Sequence, residues 1–130
     1  MENQQAIILN IQMYKSIVHV LHNFDDEKFS ECTKNNFSGL IIQRVPFHSA
    51  TVHYLENIKE GLKEYLIDFK KKLNSKSSES HSTIAHEVYH VVSEIFNDLG
   101  IPLGYGNQEA FAYCQGYLIR KIEQEILGLK

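Results

Sequence analysis

Tryptophan is missing from this chain of 130 residues, cysteine and proline occur twice each, and no run approaches the ~18 consecutive apolar residues of a membrane span. The first gap is covered by 7 Phe and 7 Tyr, enough aromatic volume to furnish a core. Cys32 and Cys114 follow no metal or redox spacing, so both are expected as buried thiols in a reducing cytoplasm. No excess of positive charge exists either. The net charge is −3 and no basic stripe stands out, which argues against nucleic-acid binding through phosphate neutralisation. The N-terminus, Met1-Glu2-Asn3-Gln4-Gln5, lacks the basic start of a secretory signal, and a cytoplasmic protein without membrane partners is expected. There is no internal repeat and no heptad run. Hydrophobic residues at 43% and charged residues at 22% then define an ordinary globular composition, of a length suited to one domain over 1–130.

The Ser-rich stretch Asn74 to Ser80 divides that domain into a mixed first part, 1–73, and a helical second part, 80–127. Alternation from Ile7 to Met13 predicts a strand, and Ile17 to Leu21 a second strand or its continuation. Asp25 or Asp26 caps a short helix to about Asn35, with Phe29 and Cys32 facing inward. Leu40 to Val45, opened by Gly39 and ended by Pro46, and Thr51 to Leu55 read as further strands. Between Asn57 and Leu73 the apolar residues Ile58, Leu62, Tyr65, Leu66, Phe69 and Leu73 suit one helical face, with Lys70-Lys71-Lys72 at its C-terminal end. Two helices follow, from about Ser80 to Leu99, stopped by Gly100, and from Gln108 to Leu127, with Asn107 as N-cap and Gly128 as stop. Joined by a short connection, they should pack as a hairpin. The fold class expected is α+β, a small mixed sheet packed on helices.

The chemistry is concentrated in His86-Glu87-Val88-Tyr89-His90. Histidines at i and i+4 lie one turn apart on the same helix face and can converge on one tetrahedral zinc ion. Glu87 is rotated about 100° from His86, too far round to be a ligand but able to reach a metal-bound water as general base. A chance match in a chain of this His and Glu content has a frequency of roughly 3%. The context, Ile84-Ala85 before and Val91-Val92 after, predicts a central helix with two buried imidazoles, which would need partners that a metal supplies.

A catalytic zinc takes three protein ligands. A third His six residues past His90 would fall at Phe96, with Ser93 where a Gly should be, so that arrangement fails. A Glu from a second helix fits better: Glu109 stands 19 residues beyond His90, followed by Ala110 and Ala112, whose small side chains allow close helix approach. Glu94, Asp98 and Glu123 are the competing carboxylates. His19, His22, His48 and His81 have no ligand spacing.

Together with Gln108-Glu109-Ala110-Phe111-Ala112-Tyr113, this pentapeptide resembles the zinc motifs of gluzincin metallopeptidases. Thermolysin-like enzymes carry Asn-Glu-Ala at the second motif, and ImmA/IrrE-type regulatory peptidases a Glu-Ala followed by Phe-Ala. The short chain is similar to minigluzincins and to small zincin-like proteins of phages and prophages. The resemblance covers about residues 80–127. It implies Zn2+ held by His86, His90 and Glu109, Glu87 as general base, and a peptide or protein substrate paired along an edge strand, for which Thr51–Leu55 is the candidate by position. Where thermolysin-like enzymes place an Asp that orients a zinc histidine, this chain has Tyr113, whose hydroxyl is a candidate for that role beside a backbone carbonyl. Tyr105 and His53 are candidates for stabilising the oxyanion. The activity implied is zinc-dependent peptide hydrolysis. The rival is a zincin-like binding or regulatory protein without turnover, and a metal-free structural or host-interaction protein is a further possibility.

Overall fold

The computed structural model describes residues 4–37, 42–44, 48–57 and 62–129. Strand β1 (Gln5–Ile11) follows the expected alternation, turning Ile7, Leu9 and Ile11 inward and leaving Ile8 65% exposed. Met13 leaves the strand. A 3-10 turn (Gln12–Tyr14) ends at Lys15, whose φ of 49° reverses the chain, and β2 (Ser16–His22) returns antiparallel as a strand of its own.

Asp25 caps helix α1 (Asp26–Asn36), its carboxylate accepting the Lys28 N–H at 2.8 Å. Phe29 is buried and Cys32 partly so. Of the strand expected at Leu40–Val45, residues 42–44 run irregularly and the rest lies outside the described residues. Arg44 instead sends its guanidinium inward to Asp68, at 2.8 and 3.0 Å.

Thr51–Leu55 falls within β3 (Ala50–Asn57), as expected. The helix expected over 57–73 is corrected. Residues 58–61 lie outside the described part, Leu62–Phe69 is strand β4, and Lys70-Lys71-Lys72 follow it without helical structure. The sheet order β1-β2-β4-β3 explains why. β4 is an inner strand, parallel to β2 and antiparallel to β3, and both of its faces are covered. Tyr65, Ile67 and Phe69 join the core beneath the C-terminal helices, while Leu66 meets Phe29 of α1 on the opposite face. A short apolar run buried on both sides carries no period that separates strand from helix.

Helix α2 (Ser78–Asp98) starts at Ser77, whose hydroxyl accepts the Ser80 N–H, and ends in a Schellman turn. There Ile101 N–H reaches the Phe96 carbonyl at 2.9 Å and Gly100 N–H that of Asn97 at 3.0 Å, with Gly100 at φ 72°. Helix α3 (Gln108–Leu127) closes at Gly128, φ 71°. Its N-terminus differs from the expected cap: the Asn107 side chain makes no capping bond and donates to the Pro102 carbonyl at 2.7 Å, bracing the connection instead. Val88, Val91, Val92 and Ile95 of α2 and Leu118 and Ile122 of α3 are fully buried against the sheet. Among the described residues, no helix is long and apolar enough to cross a membrane.

The hairpin is latched at its open end by His81. Its Nδ1 lies 2.5 Å from Glu123 of α3 and its Nε2 2.7 Å from the Ser75 carbonyl. Two acceptors ask for two protons. The Ser75 carbonyl, then Glu123, accordingly raise the His81 pKa. A raised folded-state pKa makes this contribution full below the ordinary histidine value of ~6.5 and loses it as pH rises through the folded value. The melting temperature of the wild type is therefore expected to fall from pH 6 to pH 8 by more than that of His81→Gln. Identical pH profiles in scanning calorimetry would refute the latch.

Candidate metal centre

One turn apart on α2, His86 and His90 turn their rings toward each other, with centroids 4.7 Å apart. Their Nε2 atoms stand 3.2 Å apart. Two nitrogens bound at ~2.0–2.1 Å to one tetrahedral ion are separated by about 3.3–3.4 Å, so this spacing matches a shared zinc. Both side chains are open to solvent, His86 to 67%.

Glu87 is turned about 100° round the helix from His86, on the groove side, and is only 8% exposed. The closest ion-pair approach of its carboxylate is 4.0 Å, to His86 Nε2. Burial raises the Glu87 pKa, against the pull of the His86, His90 and His48 imidazoles. A buried carboxyl group shifted upward beside a histidine pair has the character of a proton acceptor.

The pair opens onto a groove of about 640 Å³ between α2 and β3. Ala50 to Tyr54 form one wall and Glu79, Thr83, His86, Glu87 and His90 the other. β3 is the outermost strand and has no partner on its free side among the described residues. The expected edge strand thus borders the histidine pair.

Glu109 is not brought to the pair. Among the described residues, no group of three His, Cys, Asp or Glu side chains could hold a metal ion. Glu109 is exposed on the first turn of α3, and helix geometry explains its direction. The buried face of α3 is set by Phe111, Cys114, Leu118, Ile122 and Ile126, and at 100° per residue Glu109 falls about 160° from its centre. The turn itself is close to the site, since Phe111 stacks at 5.7 Å on Tyr89, the neighbour of His90. The competing carboxylates are engaged elsewhere. Asp98 accepts the Tyr65 hydroxyl at 2.7 Å, Glu94 lies beside Asp98, and Glu123 holds His81.

The three accessory candidates do not cover the pair. Tyr105 is 96% exposed in the connection between α2 and α3. Tyr113 is 75% exposed and lines an apolar hollow with Met13, Tyr14 and Cys114, outside the groove. His53 borders the groove, but its ring lies 6.1 Å from Phe29, on the α1 side of the sheet. Burial lowers its pKa, Asp68 opposes this and Arg44 reinforces it. Cys114 stays a thiol, burial pushing its pKa up to about 11.

Two groove residues escaped the sequence reading. Tyr54 shares the α2-facing side of β3 with Val52, and its hydroxyl is raised by burial and by the carboxylates of Glu94, Glu87 and Asp98. Strand parity relative to Val52 was the available signal. His48, just before β3, had none. Comparison with protein-family models, curated proteins and solved structures finds no match for this chain.

Proposed function

We propose that this chain is a zinc-dependent peptidase. The observation that carries the reading is the 3.2 Å spacing of the two imidazole nitrogens beside a nine-tenths buried glutamate, in a groove bounded by a free strand edge. His86 and His90 would hold the ion, and Glu109 is the proposed third ligand. Its support is the anchoring of its turn to the site by the Tyr89–Phe111 contact, and a carboxylate that makes no ion pair with a described residue. A bound zinc supplies Lewis acidity and a water of lowered pKa. The β3 edge offers backbone N–H and C=O groups that hold a peptide extended. Glu87 would take a proton from the attacking water as its oxygen bonds to the carbonyl carbon, and hand it to the amine nitrogen as the C–N bond breaks.

A second reading, a zinc-binding regulatory protein without turnover, is favoured by the outward direction of Glu109. Zinc titration of the metal-free protein by calorimetry, followed by assay on a peptide library, tests both. One zinc per chain is expected. His90→Ala should weaken it by at least the ~10–100-fold that loss of an outer partner costs, and Glu109→Ala by a similar amount. Equal zinc affinity in wild type and His90→Ala removes the metal site. Undiminished affinity in Glu109→Ala removes Glu109, and zinc binding without peptide cleavage leaves the regulatory reading.

A further inference from the structure

Of the acidic residues of α2, Glu79 and Glu87 line the groove, while Glu94 lies past its Tyr54 end beside Asp98. The helix contains Glu79, Glu87, Glu94 and Asp98 and not one Lys or Arg. At 100° per residue Glu79, Thr83, His86, Glu87, His90 and Glu94 fall on one side of the helix. The described lining residues of the groove likewise include no Lys or Arg. At its centre lies Glu87, nine-tenths buried and lining the groove, its carboxylate 4.0 Å from His86 Nε2.

We infer that the groove selects an extended peptide bearing Lys or Arg three to four residues from the bond presented to the histidine pair, with Glu79 as the principal reader and Glu94 marking the other end. This rests on the proposed peptide-binding role of the groove and names its substrate class. Glu79 precedes Glu87 by eight residues and Glu94 follows by seven, which at 1.5 Å per residue is about 12 and 10 Å along α2. β3 runs alongside, Ala50 and Glu79 lining the same groove and Tyr54 close to Glu94 and Glu87. A strand advances about 3.3 Å per residue, so a peptide laid on β3 with one bond at Glu87 places its third or fourth residue on either side opposite a carboxylate. The two ends differ. Glu79 is exposed and forms no ion pair with a described residue, whereas Glu94 has Asp98 and Lys63 beside it. Selection at the Glu79 end is therefore the stronger.

Ten-residue fluorescent peptides that differ only in carrying Lys, Ala or Glu at that distance from the centre provide the probe. Binding is read by anisotropy on zinc-loaded wild type, Glu79→Lys and Glu94→Gln, and cleavage by mass spectrometry. The Lys peptide should bind wild type about 3–5-fold tighter than the Ala peptide and the Glu peptide weaker still, a preference that shrinks with added salt. Glu79→Lys should reverse the order, and Glu94→Gln should change it less. Equal binding of all three, or the same order in Glu79→Lys, overturns the inference and leaves peptide cleavage untouched where it is observed. Lys-selective binding without cleavage sustains the inference and removes the peptidase. Binding of no peptide overturns both.

Discussion

Glu87→Gln is expected to lower kcat on a peptide substrate by about 100- to 10,000-fold, the range ascribed to a positioned general base, while one zinc stays bound and KM changes little. The amide keeps the shape of the side chain and removes only its capacity to accept a proton, so the loss should fall on the chemical step. Stability separates this from damage to the fold. The Glu87 carboxyl is pushed upward chiefly by burial, which means that its ionised form is disfavoured where it sits. A neutral isostere relieves that cost, and the melting temperature of Glu87→Gln at pH 7 should equal or exceed that of wild type. The pH dependence has a definite sign as well. The base must be ionised to work, so the rate should fall as pH drops through a value above the ordinary carboxylate range. Full activity in Glu87→Gln would assign the proton transfer to another group of the groove, and Tyr54 and His48 would be the next to replace.

The helical half of the molecule was legible because the stops of α2 and α3 are encoded locally. Gly100 and Gly128 act within a few residues of themselves, and the i, i+4 spacing of His86 and His90 needs nothing but a helix to bring them together. β4 was not legible, because its identity depends on neighbours distant in the chain. Lys63 and Glu64 look like the polar face of a helix, yet the Glu64 carboxylate accepts from the His19 imidazole Nε2 across 2.7 Å. Asp68 looks like a solvent-facing residue, but it is fully buried and its guanidinium partner is 24 residues upstream. The direction of Glu109 belongs to a third category. The apolar residues at 111, 114, 118, 122 and 126 already define the phase of α3, and reading Glu109 against that phase places it on the outer side. Strand parity decides the other difference: His53 and Tyr54 are adjacent, and only Tyr54 shares a face with Val52.

Arg44→Ala should produce the largest loss of stability of any single surface-reaching side chain in the molecule, about 3–5 kcal/mol. Its guanidinium binds Asp68 through two parallel hydrogen bonds of 2.8 and 3.0 Å, donates to the Phe24 carbonyl at 2.7 Å and to Asp26 at 2.9 Å, and lies 4.7 Å from the Phe29 ring centroid. Asp26 is 93% exposed and loses little when the partner goes. Asp68 has no access to water, and removing Arg44 leaves its carboxylate buried without a countercharge. In a domain of this length that loss corresponds to a fall of about 10–20 °C in melting temperature. The double variant Arg44→Met, Asp68→Leu removes both charges and fills the space, and should recover most of the difference. The consequence reaches the groove, because Asp68 lies opposite Thr51 in the β3–β4 register and Arg44 precedes β3 in the chain. Arg44→Ala is therefore expected to raise KM for an extended peptide at temperatures well below its own melting point, while zinc affinity, carried by residues of α2 and α3 remote from Arg44, stays as in wild type. A melting temperature within 2–3 °C of wild type, on the order of 1 kcal/mol, would show that the pair contributes hydrogen bonds rather than charge.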